Sequence, residues 1–305
     1  MAAGVTIDLE SLIRLKAEAR GFHFSSRQPL NSLLSGRHAS RLRGRGLDFA
    51  ELRGYRPGDD IRSIDWKATA RRGRTQIRVY EEERERPVYV AVDQRSRMFF
   101  GSQRCMKSVC AAEAAALAAW RVLDGGDRVG GWILGEQELQ FVSPKRGQST
   151  VLQFLHQLSE ENEKLPLQGM DGNKEGFNHM LASIEQSMTH DGLLILISDL
   201  HGADEQSREM VTRLSRHNDV LVVLIYDPMG GGILPYPGMW TESASGLRKL
   251  PGQGDFSEKL REQFQVDLKR WRELFGELRI PLLPISTEFP VADQIRQAIG
   301  GELHG

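Results

Sequence analysis

Three short runs of apolar residues constrain this chain more than any other feature. Residues 88–92, 193–197 and 220–226 are apolar without interruption. An alternating pattern would suit a strand wetted on one face. A continuous one requires cover on both faces, as in the interior of a mostly parallel sheet. Each run is far below the ~20 residues that span a bilayer, so no membrane insertion is expected. Helical patterns lie between them. The alanine-rich stretch 107–123 places Cys110, Ala114, Leu117 and Trp120 on one face and stops at Gly125-Gly126. Further helices are expected at 148–160, 176–189 and 204–217, with strands at 128–134 and 138–142, the latter as an antiparallel hairpin partner. A glycine- and proline-rich loop follows over 227–254, carrying a small hairpin at 240–249. A helix over 256–278, a strand at 281–285 and a closing helix at 291–299 complete the pattern. Strand–helix alternation of this kind predicts an α/β fold with a doubly wound, mostly parallel sheet.

Upstream of Pro87 the composition changes. Residues 37–86 are crowded with arginine and glycine, with acids interleaved and aromatic or branched residues at intervals. Disordered basic tails lack such apolar residues. The segment therefore reads as a subdomain of short strands and turns, with a turn at Arg56-Pro57-Gly58-Asp59. Asp59, Asp60 and Asp65 are expected to pair with Arg53, Arg56 and Arg62, and Trp66 to anchor the subdomain on the main domain. A short polar-faced helix is expected at 6–20, giving an N-terminal region over 1–86 and a main domain over 87–305.

Composition removes several function classes. Basic and acidic residues balance, 40 against 41, so no global field selects nucleic acid or an anionic membrane. The two cysteines, Cys105 and Cys110, have neither CxxC nor zinc-knuckle spacing. A reduced, cytoplasmic setting is expected. No phosphate loop, HExxH helix or GxSxG elbow occurs, and no enzymatic activity is expected.

In a doubly wound sheet, ligands bind beyond the carboxyl ends of the strands, where strand order reverses. Two apolar strands end there in aspartate, Asp93 and Asp199. Two carboxylates on neighbouring strand ends repel unless something positive compensates them. The alternative is that each only caps the element that follows. Nearby stand Arg95, Ser96, Arg97 and His201, which complete the candidate partner-binding edge.

The arrangement resembles that of von Willebrand factor A-like domains. Their metal site uses an Asp-x-Ser-x-Ser after the first strand, a threonine from a later loop and an aspartate after the fourth strand. Asp93 and Asp199 match it. The hydroxyl positions hold Arg95 and Arg97, Ser96 is out of phase, and the run Glu175-Gly176-Phe177-Asn178 has no threonine. A divalent ion such as Mg²⁺ would have Asp93, Ser96 and Asp199 for ligands. The expectation is instead that Arg95 or Arg97 supplies the positive charge, so no cofactor is expected.

A second resemblance rests on the run from Gly44-Arg45-Gly46-Leu47-Asp48-Phe49 through Glu51-Leu52-Arg53-Gly54-Tyr55-Arg56-Pro57-Gly58-Asp59-Asp60-Ile61-Arg62-Ser63-Ile64-Asp65-Trp66 to Arg71. With the acidic segment 81–85 and the run Gly126-Asp127-Arg128-Val129-Gly130, it is similar to the signature of the bacterial family called domain of unknown function 58, across about residues 20–230. That resemblance implies an A-like fold and a non-enzymatic adaptor or scaffold. The implied partner is a MoxR-type AAA+ ATPase, in the assembly or maturation of other proteins. Two alternatives are a Mg²⁺-dependent hydrolase using Asp93 and Asp199, and nucleic-acid binding through the arginine-rich segment 37–78, whose interleaved acids argue against it.

Overall fold

The computed structural model describes residues 4–19, 47–56, 59–82, 86–165, 173, 175–228, 240–243, 246–249, 266, 269, 271, 273 and 275–300. In chain order the elements are α1 (Leu9–Ala19), β1 (Leu47–Gly54), α2 (Trp66–Arg72), β2 (Gln76–Glu82), β3 (Pro87–Asp93), α3 (Lys107–Asp124), β4 (Arg128–Leu134), β5 (Leu139–Lys145), α4 (Gln148–Lys164), α5 (Gly176–Ser187), β6 (Leu193–Ser198), α6 (Glu205–Ser215), β7 (Asp219–Tyr226), β8 (Trp240–Ser243), β9 (Gly246–Lys249), β10 (Leu282–Ser286) and α7 (Val291–Gly300). They fall into two compact units, Gly36–Glu85 and the remainder of the chain.

The larger unit is built on a six-stranded sheet of order β10-β7-β6-β3-β4-β5. Every pairing is parallel except β4 with β5. From β3 the chain steps outward through β4 to β5, then returns to the other side of β3 to lay down β6, β7 and β10. This is the doubly wound order with an antiparallel edge that the A-like resemblance implies. The reversal lies between β3 and β6, so the strand ends bearing Asp93 and Asp199 are neighbours.

The continuous apolar runs are explained by cover on both faces. Val88, Val90 and Val92 join a core with α1, α3, α4 and α7, while Tyr89 and Ala91 join another with α5 and α6. Every residue of β3 and β6 is buried. Helix α3 is buried on nearly all sides, beyond the single face expected. Its alanines let the sheet and neighbouring helices approach closely, and α1 covers its outer side.

That packing moves α1 out of the N-terminal region to which the sequence assigned it. Leu12 is fully buried, a contribution of about 1.5–3 kcal/mol, and its carbonyl accepts the Trp120 Nε1–H at 3.0 Å. A buried polar chain fixes the approach. The Ile7 N–H donates to Asn162 Oδ1, Asn162 Nδ2 to Gln94 Oε1, and Gln94 Nε2 to the Ser108 carbonyl, at 2.9, 2.9 and 3.0 Å. Asn162→Ala leaves two buried groups unpaired and is expected to cost about 2–4 kcal/mol. Urea unfolding measures it, and a loss under about 0.5 kcal/mol would remove the chain of bonds from the folding account.

In the smaller unit β1 and β2 pair antiparallel, with a register shift between Phe49 and Glu51. Where the sequence predicted only strands and turns, α2 is present. Asp65 caps it by accepting from the Ala68 N–H at 2.9 Å, and Gly73, at φ 66°, ends it in the left-handed conformation. Of the expected ion pairs, that of Arg53 with Asp59 is present. Arg53 holds Asp59 through both guanidinium nitrogens at 2.8 Å, which with the Arg56 N–H lowers the Asp59 pKa to about 2. Asp60 accepts from the Arg62 N–H and Asp65 from the Ala68 N–H.

The Asp59 N–H donates to the Arg56 carbonyl, as a turn requires, while residues 57–58 lie outside the described residues. So do most of the loop 227–254 and most of the helix expected over 256–278. The hairpin expected at 240–249 is present as β8 and β9, and residues 275–277 are helical. Cys105 and Cys110, expected as thiols, are joined as a disulfide at the entry to α3. No helix among the described residues is long and apolar enough to cross a membrane.

Candidate functional site

Asp93 ends β3 completely buried. Its carboxylate accepts the Arg95 N–H at 3.1 Å, Arg95 Nε at 2.9 Å, Arg95 Nη2 at 2.6 Å and the Ser198 hydroxyl at 2.8 Å. Arg95 is 3 % exposed and lies over the Phe177 ring, 5.8 Å from its centroid. Nη1 also donates to the carbonyl of Asn173 at 2.8 Å, and Nη2 to that of His201 at 2.9 Å. One guanidinium thus joins three loops at the carboxyl edge of the sheet. Burial acts to lower the Arg95 pKa, but the charge and hydrogen bonds of Asp93 outweigh it and the pKa rises.

Asp199 has a different partner. Lys107, the first residue of α3, reaches it at 2.5 Å, and both side chains are nearly buried. The other Asp199 oxygen accepts the His201 N–H at 2.9 Å. Burial pushes the Asp199 pKa up, but Lys107, the His201 N–H and Arg95 together bring it below the ordinary 3.8. The single arginine expected for both aspartates is therefore only part of the answer: Arg95 bonds Asp93 and acts on Asp199 through its charge alone, and Lys107 bonds Asp199. Arg95 serves Asp93, Lys107 serves Asp199, and Arg97 is exposed and serves neither.

Ser198 links the two halves. Its hydroxyl donates to Asp93 and accepts the Leu200 N–H at 2.9 Å, which holds Leu200 at a φ of 58°. This is a strained angle for a branched residue. Glu136 closes the opposite side, accepting the N–H groups of Ser96 at 2.8 Å and Asn173 at 2.6 Å. Lys107, Ser198, Glu136 and Asn173 were not among the candidates read from the sequence. Lys107 is 92 residues from Asp199, and only the packing of α3 against the sheet brings them together. Asp227, which follows β7, is a third strand-end carboxylate. It accepts from the N–H and hydroxyl of Ser102 and from the Thr287 hydroxyl.

The A-like resemblance implies a divalent cation, and these residues do not fit one. A hard cation such as Mg²⁺ needs free oxygen ligands in octahedral array. Here both Asp93 oxygens are engaged by a guanidinium and Asp199 by an ammonium. Among the described residues no group of three or more histidine, cysteine or acidic side chains could hold a metal ion. Ser96, the remaining candidate ligand, keeps its hydroxyl buried and without a partner. Adding millimolar Mg²⁺ or Mn²⁺ in place of EDTA is expected to leave Tm unchanged, because binding to the folded state alone would raise it. A dose-dependent rise lost in Asp199→Asn would overturn this.

The same geometry sets a pH dependence. A lowered Asp199 pKa means that its stabilisation is fully present above 3.8 and is lost as pH falls through the folded-state value. The wild type should lose stability faster than Asp199→Asn as pH falls from about 5 to 3. Parallel Tm profiles for the two proteins would remove Asp199 from the acid response.

A profile described as protein of unknown function DUF58 matches residues 51–270. The chain belongs to the DUF58 family. Uncharacterized proteins of Mycobacterium tuberculosis and Mycobacterium bovis are each 28 % identical over 215 residues, 70 % of this chain and 66 % of theirs. The chain thus spans just under two thirds of the length of these curated relatives. Among solved structures, a conserved hypothetical protein BatB of Bacteroides thetaiotaomicron has a TM-score of 0.42 at 16 % identity, covering 71 % of this DUF58 chain and 98 % of that one. An aerotolerance-related membrane protein of Bacteroides fragilis has a TM-score of 0.40 at 14 % identity, with 71 % and 98 % covered. The SpRpn10 VWA domain has a TM-score of 0.35 at 10 % identity, with 73 % and 100 % covered.

Proposed function

We propose that this DUF58 chain is a non-enzymatic adaptor that binds other proteins at the carboxyl edge of its sheet. One observation carries the reading. The two strand-end aspartates, which could have served as metal ligands or reactive carboxylates, are each neutralised by a cation of the same chain. What the edge then offers is a set of preorganised loops on a rigid scaffold, a common setting for recognition. In this reading the chain works with a MoxR-type AAA+ ATPase, in assembling or maturing other proteins. The family resemblance supports that partner. Co-purification tests it, using the tagged chain and the ATPase, with and without nucleotide. A stable complex in either state is expected; no complex in both would overturn the partner.

A second reading rests on the smaller unit. Its aspartates at 59, 60 and 65 are engaged with Arg53 and backbone N–H groups. Lys67, Arg71, Arg72 and Arg74 are exposed, and Trp66 is 71 % exposed. Cationic side chains beside an exposed aromatic suit single-stranded nucleic acid. Filter binding of an oligonucleotide at low salt, steeply weakened by salt and abolished in Trp66→Ala, would favour this over the adaptor. No retention at low salt would remove it.

A further inference from the structure

Strands β1 and β2 pair from Leu47 with Glu82 to Gly54 with Gln76, so residues 55–75 connect them at one end of the hairpin. Helix α2 lies in that connection with its back to β2. Thr69 Oγ1 accepts the Gln76 N–H at 2.9 Å, and Arg72 Nη1 donates to Gln76 Oε1 at 3.3 Å. Elsewhere on α2, Trp66 stands beside Ala70 and Lys67 beside Arg71, one helical turn apart, and all four are exposed. Ile61, 68 % exposed, and Tyr55 belong to the same connection. Tyr55, Ile61 and Trp66 are three of the six exposed large apolar side chains among the described residues, gathered where single, scattered ones are the norm. The charge there is one-sided. From Trp66 to Tyr80 the chain carries Lys67, Arg71, Arg72, Arg74 and Arg78 and no acid. Among the described residues Lys67, Arg71 and Arg74 form no ion pair. The acids before α2 are committed, Asp59 to Arg53, Asp60 to the Arg62 N–H and Asp65 to the Ala68 N–H. Lys67 and Arg71 are like charges one turn apart, which weakens a short helix until an anion lies between them.

We propose that this end of the smaller unit docks an acidic polypeptide segment of a partner protein. Its carboxylates meet Lys67, Arg71 and Arg74, and an apolar side chain of the segment seats on Trp66 and Ile61. This adds a second surface to the adaptor reading and does not depend on the carboxyl edge of the sheet. Charge complementarity selects the occupant. An acid-free cationic stretch disfavours a basic segment, and guanidinium forks match carboxylates. The apolar residues decide between polypeptide and nucleic acid. An aromatic ring stacks on bases, but the branched aliphatic side chain of Ile61 has no face to stack, whereas both suit a leucine of a peptide. Tryptophan, tyrosine and arginine together are the composition of a binding hot spot. The caps at Asp65 and Gly73 fix α2 before a partner arrives, which lowers the ordering cost of docking.

The test is fluorescence anisotropy of a labelled short peptide of aspartate, glutamate and leucine, titrated with the intact chain. Three comparison probes are run separately: the peptide with serine for leucine, the peptide with amides for its acids, and a labelled oligothymidylate. Saturable binding of the first peptide is expected, weakening as salt rises. Each comparison probe should bind at least about tenfold more weakly. Trp66→Ala and Arg71→Gln should each weaken the first peptide about fivefold to thirtyfold, the range of hot-spot truncations. Both positions are exposed, so Tm stays near the wild-type value, and glutamine keeps the helix propensity of arginine should Trp66→Ala fail to fold. No saturable binding, an affinity unchanged in Arg71→Gln, or a comparison probe that binds as tightly as the first peptide would each overturn the proposal; the oligothymidylate in that role would assign the surface to nucleic acid. A pull-down separates this surface from the adaptor reading. If the chain retains the ATPase but the acidic peptide does not bind, the surface fails and the adaptor stands. If the peptide binds but no complex with the ATPase forms, that partner fails and the surface stands.

Discussion

Asp93→Ala is expected to destabilise the larger unit by about 3–5 kcal/mol, because it leaves a buried guanidinium with no counter-charge. Arg95 is 3 % exposed and makes three of its hydrogen bonds to Asp93. It cannot shed its proton to relieve the cost. The loss extends further, because the same side chain holds the carbonyls of Asn173 and His201. A second variant separates charge from shape. Asp93→Leu combined with Arg95→Met removes both charges and is expected to recover most of the loss, as apolar replacements of buried pairs commonly do. Chemical denaturation of the four proteins gives the coupling energy. Asp93→Ala within about 1 kcal/mol of wild type would show that Arg95 is not buried as described.

Gly131→Ala should be at least as damaging although it adds a single carbon. Gly131 lies in β4, next to the central strand, at a φ of 152°, and a Cβ there would sit 1.9 Å from the Val90 carbonyl oxygen. The obstacle is the backbone of the strand it pairs with, which cannot rotate aside. Overpacking and backbone strain together put the cost on the order of 4 kcal/mol. Gly73→Ala is the control. It has positive φ but nothing within 4 Å of the added atom, so it should cost only about 1 kcal/mol. Thermal unfolding followed by circular dichroism compares them, and equal Tm values would refute the steric argument.

Much of the fold was legible because its signals are local. A run such as 88–92 is apolar at every position only if both faces are covered, and the helical stretches between such runs make the connections parallel. The positions of Asp93 and Asp199 at strand ends follow from the same pattern. Helix α2 was missed because its signals, Asp65 as cap and Gly73 as stop, enclose only seven residues and sit in a segment dominated by arginine. The placement of α1 was missed because its decisive contacts, Leu12 with Trp120 and Ile7 with Asn162, are with residues more than a hundred positions away.

The edge of the sheet shows the same division. Within one loop the sequence alone indicated that Arg95 and Arg97 stand where a metal-binding domain carries hydroxyls, because a position two residues along a chain is fixed by local geometry. The sequence could not say which arginine turns inward. Tertiary structure decided it. Phe177 and the carbonyls of Asn173 and His201 surround Arg95 with partners, while Arg97 has none there. The Lys107–Asp199 pair, from α3 and the loop after β6, is likewise a product of packing. Burial makes it unfavourable to leave Asp199 without a cation, but which residue supplies that cation depends on how the helices lie against the sheet.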